Sequence, residues 1–294
     1  MDPVLFALVL IAVGVFIGFC SGLLGIGGGS LMVPIFRLFL GIDAYAATAT
    51  SLFTMVFTSI SGAVSHIQQK TCIIPIGIAL GIGGCVTSAL GAYLGSISPS
   101  WAIMLVTALI VAYSATNMLR KALSMPKNKW RQKGGAEKSQ AKTQQKGAGE
   151  SGEKAVVRSL ADEAFEVTPK RVAGALCIGL FAGLCAGYAG IGGGFIMVPL
   201  MTTLLAVPMY KASGTSTIAI IILSIPGIIE QAMLGHVLYM VGICVAIGSI
   251  PGAAIGARFV KKIPERQLRL IFAFFLFVAA IALVINELLE SGLL

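Results

Sequence analysis

Charged residues are scarce in this sequence. Asp, Glu, Lys and Arg make up 11% of its 294 residues, whereas soluble domains carry about 25%. Because 57% of the residues are hydrophobic, most of the chain cannot form a water-soluble core. There are only two histidines, and the six cysteines form no CxxC pair, which argues against a metal site and a disulfide framework. Since the sequence has no Walker loop, catalytic triad or carboxylate pair, we expect neither an enzyme nor a cofactor.

The apolar residues fall into ten continuous runs, several of which approach the ~20 residues that cross a bilayer as a helix. Continuous runs favour helices, whereas a β-barrel requires alternating ones. We therefore predict an all-α polytopic protein embedded in a lipid bilayer. The runs span 3–24, 30–41, 44–65, 72–95 and 99–120 in the first half, and 171–189, 195–206, 209–231, 237–258 and 267–286 in the second.

A glycine-rich motif occurs twice in the chain. Residues 25–34 (GIGGGSLMVP) return as residues 190–199 (GIGGGFIMVP), an offset of 165. The same offset relates pairs far outside the motif, namely Thr50-Ser51 with Thr215-Ser216 and Gly91-Ala92 with Gly256-Ala257. Two ungapped copies of one unit therefore make up most of the chain, which in an apolar protein indicates a transporter with its site at the repeat interface.

Each repeat contains about five helical segments. The first repeat covers 1–121 and the second covers 169–294. Residues 122–168 form a basic linker of low-complexity composition, which we expect to be disordered. A contact of this linker with anionic lipid is the alternative to a simple tether.

The distribution of charge predicts the orientation. The net charge is +9, but 13 of the 21 Lys and Arg residues lie within 120–171, so we expect no nucleic-acid partner. The positive-inside rule places the linker in the cytoplasm of a cell membrane. The turn at 95–99 is uncharged, whereas its equivalent at 260–264 carries Lys261 and Lys262. Equivalent turns on opposite sides indicate inverted-topology repeats with an odd number of crossings, and both termini then lie outside the cytoplasm.

Two of the runs are short. Segments 30–41 and 195–206 have about 12 residues, which as helix reach only ~18 Å of a ~30 Å hydrocarbon core. Each segment could cross the membrane fully or form part of a re-entrant turn, and the sequence does not distinguish the two arrangements. We expect broken or short helices at the glycine-rich turns, with Pro34 and Pro199 in the first turn of the helix that follows each break, where proline is tolerated.

The glycines of the two breaks are our first candidate substrate ligands. Without a Cβ the backbone can turn sharply and approach a ligand closely. A helix that begins at such a break presents free N–H groups and a positive dipole end, which can bind an anion without a buried Lys or Arg. Close helix packing or a hinge is the alternative. The candidates are Gly27, Gly28, Gly29, Gly192, Gly193 and Gly194.

Hydroxyl side chains near the start of two long helices are the second candidate set: Thr50, Ser51, Thr215 and Ser216. Neutral hydroxyls can donate to an oxyanion, but in membrane helices they also bond to their own helix or to a neighbouring one. His66 and its repeat equivalent Gln231 are candidates for ion coupling, with an ordinary position at the membrane interface as the alternative.

These features resemble the TauE/SafE sulfite exporter family, also called the toluene sulfonate uptake permeases. The resemblance rests on the duplicated GIGGG-to-Pro motif, on the 49–51 and 214–216 helix starts and on the glycine-rich run 248–257, and it covers nearly all of 5–122 and 172–288. Tyr239, where we expect Trp, and the long linker depart from the pattern. The resemblance implies a transporter of sulfite, organosulfonates or related anions, and it leaves the anion and the direction open.

We therefore expect a secondary transporter, in the exporting direction, that binds a small sulfur-containing anion at the repeat interface and works by alternating access. An anion channel with the same residues is one alternative. A membrane sulfur-relay protein that uses Cys20 or Cys185 is another, although both cysteines also suit simple packing. The coupling ion and a homo-oligomeric state stay open.

Overall fold

The protein is helical throughout the part of the chain that the structure describes. The computed structural model describes residues 3–98, 100–124, 168–189 and 192–290, and no strand occurs in these ranges, which confirms the predicted all-α fold. Apart from its two ends, the predicted linker lies outside the described residues. The helices are α1 (Pro3–Leu24), α2 (Gly29–Leu40), α3 (Ala44–Gln68), α4 (Ile74–Ile97), α5 (Ser100–Ser124), α6 (Pro169–Ala189), α7 (Gly194–Leu204), α8 (Met209–Met233), α9 (Tyr239–Phe259) and α10 (Glu265–Glu290).

Six of these helices are long and apolar enough to cross a membrane: α1, α3, α4, α6, α8 and α9. Large apolar side chains remain exposed on their outer faces, as Leu8 on α1 and Ile247 on α9 illustrate. An exposed apolar surface of this kind suits a lipid environment and would be unfavourable in water. The chain is therefore a multi-pass membrane protein.

Helices α2 and α7 are short, as the sequence predicts. They contain 12 and 11 residues, so at 1.5 Å per residue each is only about 17–18 Å long. The predicted position of their prolines is wrong. Pro34 and Pro199 lie inside the helices, each at the sixth residue, because the helices begin at Gly29 and Gly194. Each proline withholds the N–H that would bond the carbonyl four residues earlier.

Helix α1 packs closely along α9. A Cβ added to Gly14 would overlap the carbonyl oxygen of Val245, and one added to Gly18 would overlap that of Ser249. The residue numbers rise together, so the two helices run in the same direction.

Helix α6 packs against α4 in the same way. Gly179 lies against the carbonyl of Leu80, and Gly183 lies against Gly84. Each of these four residues is 165 positions from its counterpart in the α1–α9 pair, so the two pairs have equivalent contacts. Close packing of this kind is typical of membrane helices, where small residues let the backbones approach.

The long helices α3 and α8 cross at the centre in opposite directions. Along α3, Gly62 lies beside Thr217 of α8, whereas His66, further on, lies beside Gly214. Helix α9 runs parallel to α3, since Thr54 donates to the carbonyl of Gly242 (3.2 Å) and later residues pair in the same order. Helix α4 runs parallel to α8. Helices α1, α3 and α9 thus point one way, and α4, α6 and α8 point the other way.

Basic side chains cap several helix ends on one side of the molecule. Lys121 donates to the carbonyl of Thr202 at the end of α7 (3.3 Å), and Lys261 donates to the carbonyl of Gln69 after α3. Cations are favourable at helix C-termini because of the helix dipole. On α10, Arg269 is 95% buried and pairs with Glu265 at 2.6 Å, a burial that sequence reasoning missed.

Candidate functional site

The first glycine break joins α1 to α2 through residues in the left-handed region. The φ angles are 71° for Gly25, 76° for Gly27 and 84° for Gly28. Side chains are disfavoured at such angles by a clash of the Cβ with the backbone, so glycine is the residue that fits. Gly28 is the N-cap of α2 and supplies no side chain to cap it. The break therefore separates α1 from α2, and the first backbone N–H groups of α2 have no partner within that helix.

The second break precedes α7 and differs in detail. Gly192 has a φ of 80°, but Gly193, the N-cap of α7, has a right-handed φ of −74°. Gly190 and Ile191 lie outside the described residues. The two repeats are therefore not identical at their breaks, although both start a short helix with a glycine N-cap.

The two breaks touch each other. A Cβ added to Gly194 would lie 2.7 Å from the carbonyl oxygen of Gly25 and 2.8 Å from the Cα of Ile26. All six candidate glycines are buried. The structure thus brings the glycines of both repeats to one place, which the sequence could only suggest through their shared motif.

Two side chains that sequence reasoning missed lie between the breaks. A Cβ on Gly27 would lie 2.8 Å from Sδ of Met55, and one on Gly192 would lie 2.6 Å from the same atom. Ile220, the repeat equivalent of Met55, lies 2.8 Å from the Cβ position of Gly194. Both are fully buried. The offset of 165 relates them, but nothing in their type distinguishes them from ordinary core residues.

Both short helices direct their N-termini into this buried region. In α2 the amides of Leu31 and Met32 bond to the carbonyl of Gly28, and in α7 those of Ile196 and Met197 bond to Gly193. The amides of Gly29 and Gly194 come before these first helical bonds and therefore have no partner within their own helix. The partial positive charge of each helix dipole lies at the same end. Two such ends in one region surrounded by apolar side chains favour an anion and disfavour a cation.

Thr50 and Thr215 link the two repeats. The amide of Leu238, at the start of α9, donates to Oγ1 of Thr50 (3.0 Å). The equivalent amide of Ile73, before α4, donates to Oγ1 of Thr215 (2.9 Å). Both threonines are fully buried. Each therefore caps a helix of the opposite repeat, which is a structural role that the sequence did not reveal.

The two candidate serines bond to backbone carbonyls. The hydroxyl of Ser216 donates to Gly25 (2.6 Å) or to Ser213 (2.8 Å), so α8 holds the first break directly. The hydroxyl of Ser51 lies 2.8 Å from the carbonyl of Thr48 in its own helix. Ser216 thus lies at the break itself and positions its backbone.

His66 is fully buried among protein atoms in the last turn of α3, a burial that its place at the end of an apolar run does not reveal. Its Nε2 lies 2.9 Å from the carbonyl oxygen of Gly22, and its Nδ1 lies 2.8 Å from Oγ1 of Thr71. Because a carbonyl oxygen can only accept, Nε2 carries a proton. Oε1 of Gln231 accepts a hydrogen bond from Nδ1 of His236 at 3.0 Å, and His236 is the repeat equivalent of Thr71.

The two cysteines of the sulfur-relay alternative lie on α1 and α6. Cys20 is buried and Cys185 is half-buried, and both are free thiols. In the described part of the chain no group of three His, Cys, Asp or Glu residues could hold a metal ion.

Comparisons with known proteins point to one family of membrane transporters. A family model described as "Sulfite exporter TauE/SafE" matches residues 10–283. Among curated proteins, the chain is 26% identical to the probable membrane transporter protein YunE of Bacillus subtilis, over 90% of this chain and 92% of the relative. It is 29% identical to the probable membrane transporter protein YdhB of the same organism, over 90% and 93%. The Arabidopsis thaliana sulfite exporter TauE/SafE family protein 5 is 27% identical over 34% of this chain and 22% of that protein. No solved structure matches the chain at a significant level.

Proposed function

Because the chain belongs to the sulfite exporter TauE/SafE family, and is thus a membrane transporter of that type, we propose that it is a secondary transporter of small sulfur-containing anions such as sulfite or organosulfonates. The anion binds between the two glycine breaks, and the repeats move relative to each other to open this site to either side in turn.

One observation carries this proposal: the breaks of both repeats are in direct contact at Gly25 and Gly194. Each break starts a short helix whose N-terminal amides and dipole favour negative charge. Irregular backbone at membrane depth is tolerated where it is buried in protein or lines a cavity. The N-termini of α2 and α7 thus lie together in a buried region with apolar side chains around it. Such a region is suited to an anion that must be bound and then released.

We propose that the repeats have inverted topology. The equivalent helices α1 and α6 point in opposite directions, as do α3 and α8, according to the packing orders described above. The matching contacts of Gly14 with Val245 and of Gly179 with Leu80 support a twofold relation between the repeats. An inverted pair places a binding site at its interface near the middle of the bilayer.

The glycine amides are the main donors in this proposal, from Gly27, Gly28 and Gly29 in one repeat and from Gly192, Gly193 and Gly194 in the other. The hydroxyls of the second set complete the site: Thr50, Ser51, Thr215 and Ser216. Since Thr50 and Thr215 each cap a helix of the opposite repeat, a change in one of these bonds upon anion binding would be transmitted between the repeats.

The membrane potential favours export if the basic side faces the cytoplasm. Lys121, Lys261 and Arg266 cap helix ends on one side, which the positive-inside rule assigns to the cytoplasm. An inside-negative potential drives an anion outward by ~2.3 kcal/mol per charge per 100 mV. His66 is the candidate for proton coupling, because a change in its protonation alters bonds to α1 and to the loop before α4.

The test is flux of labelled sulfite and sulfoacetate in proteoliposomes that contain the purified protein. We expect saturable flux, and flux no greater than in protein-free liposomes would refute the proposal. Thr50→Val and Thr215→Val should reduce the flux. Single-channel currents in a planar bilayer would instead identify an anion channel, since carriers turn over too slowly to produce them. Loss of flux in Cys20→Ser or Cys185→Ser would favour the sulfur relay.

A further inference from the structure

A single serine oxygen stands out among the buried polar side chains. In the part of the chain that the structure describes, Oγ of Ser59 is the one buried side-chain nitrogen or oxygen without a hydrogen-bond partner. Ser59 on α3 is fully buried. A buried hydroxyl without a partner loses its bonds to water and gains none in return, so its position calls for a specific explanation.

The repeat equivalent of Ser59 shows the ordinary solution. Ser224 on α8 is also buried, and its hydroxyl donates to the carbonyl of Ile220, four residues earlier in the same helix, at 2.6 Å. This bond is the usual arrangement for serine within a helix. The corresponding carbonyl on α3 belongs to Met55, but the hydroxyl of Ser59 does not bond to it. The two repeats therefore differ at this position in hydrogen bonding and agree in residue type and burial.

Ser59 lies on the face of α3 that meets the breaks and α8. It is one turn beyond Met55, whose sulfur contacts the Cβ positions of Gly27 and Gly192. Further along the same face, His66 packs against Gly214 of α8. Residues four apart on a helix share a face, so Ser59 lies between the Met55 contact at the breaks and the His66 contact with α8.

Hydroxyls on the neighbouring face of α3 have partners. The hydroxyl of Thr54 donates to the carbonyl of Gly242 or to that of Thr50, and Thr58 bonds to Ser249 at 2.7 Å. These bonds fasten α3 to α9. The face that carries Ser59 thus differs from the face that serves helix packing, because the hydroxyl of Ser59 forms no hydrogen bond with another helix or with its own backbone.

We propose that Ser59 is a substrate ligand whose hydroxyl donates a hydrogen bond to an oxygen of the bound oxyanion. The proposal rests on the proposed function and adds a residue outside the glycine and threonine–serine sets. The glycine amides supply donors from α2 and α7, and Ser59 supplies one from α3, so the anion is bound by three elements. The side chain of Met55 moves aside when the anion enters, which its flexible thioether chain permits.

The test compares Ser59→Ala with Ser224→Ala, its matched control in the other repeat. Labelled sulfite flux in proteoliposomes gives KM and maximal rate for each variant, and thermal unfolding in detergent is measured with and without sulfite. Because a hydrogen bond to a charged group is worth more than a neutral one, we expect Ser59→Ala to raise the KM about tenfold or more. Ser224→Ala should leave the KM within about twofold of the wild type, since it loses a bond within its own helix.

Thermal unfolding separates a ligand from a structural residue. Without sulfite, Ser59→Ala should melt at the same temperature as the wild type or higher, because the substitution removes an unpaired polar atom. The upward shift that sulfite causes in the wild type should be reduced in this variant. A wild-type KM and sulfite shift in Ser59→Ala would overturn the assignment. If the wild type itself shows neither flux nor a shift with sulfite, sulfoacetate or thiosulfate, the proposed function fails, and the role of Ser59 fails with it.

Discussion

Substitution of Gly194 by alanine tests whether the contact between the breaks is needed for transport. The added Cβ would lie 2.7 Å from the carbonyl oxygen of Gly25, 2.8 Å from Cδ1 of Ile220 and 2.8 Å from the Cα of Ile26. Real Cβ atoms essentially never approach other heavy atoms this closely. Two of the three neighbours are backbone atoms, which cannot rotate away, so the first break has to move relative to α7.

The effect on stability follows from two opposing contributions. Overpacking in a well-packed core costs about 1–3 kcal/mol. Alanine in place of glycine stabilises a helix by up to about 1 kcal/mol, although Gly194 is the first residue of α7. The free energy of unfolding should therefore fall by about 0–3 kcal/mol, and the protein should stay folded. Sulfite flux should fall at least about tenfold, because the amides of the two breaks no longer converge on one anion.

Gly62→Ala is the matched control. Its Cβ would meet only Cγ2 of Thr217 at 3.6 Å, which is ordinary van der Waals contact, and it lies inside α3, where alanine favours the helix. We expect wild-type flux and equal or higher stability for this variant. Both would be measured by sulfite flux in proteoliposomes and by thermal unfolding in detergent. Wild-type flux in Gly194→Ala would show that transport does not depend on the close contact of the breaks and would refute our reasoning.

Three further predictions concern other parts of the structure. Thr215→Val should lower the free energy of unfolding by about 1–3 kcal/mol, because the substitution leaves the buried amide of Ile73 without an acceptor. Thr215→Ser keeps the hydroxyl and should restore most of the lost stability. Equal melting temperatures for the two variants would contradict the capping role. His66→Gln, which introduces the residue found at the equivalent position 231, should abolish the proton movement that accompanies organosulfonate flux, measured with a pH-sensitive dye inside weakly buffered proteoliposomes. Unchanged proton movement in this variant would exclude His66 from coupling. Protease should cleave the linker at 122–168 in inside-out vesicles and spare it in right-side-out vesicles, and the reverse pattern would invert the proposed orientation.

Much of the fold could be predicted from local patterns. The apolar runs correspond to the ten described helices, because a chain in lipid must satisfy its backbone hydrogen bonds within each segment. The short helices α2 and α7 followed from the length of their runs and from the glycines before them. The place of the prolines was predicted wrongly: each short helix begins at the last glycine of its motif, Gly29 or Gly194, so the proline lies at the sixth helical residue.

The candidate site was predicted only in part. The glycines of both breaks were found from their repetition, since three consecutive glycines have few structural roles in an apolar chain. Met55, Ile220 and Ser59 were not found, because a methionine, an isoleucine or a serine in a membrane helix is usually a packing residue. The partners of the threonines were not found either, since Thr50 bonds to Leu238 over a separation of 188 residues.

The sequence by itself determined the helices, their duplication and the positions of the two backbone breaks, because these depend on residue type and spacing over a few turns. Only the tertiary structure decided that the breaks meet at Gly25 and Gly194, that His66 is buried, and that Ser59 lacks the bond its equivalent Ser224 makes. Those features depend on how helices distant in the chain cross and on which rotamer a packed side chain adopts, and neither is encoded in a local pattern.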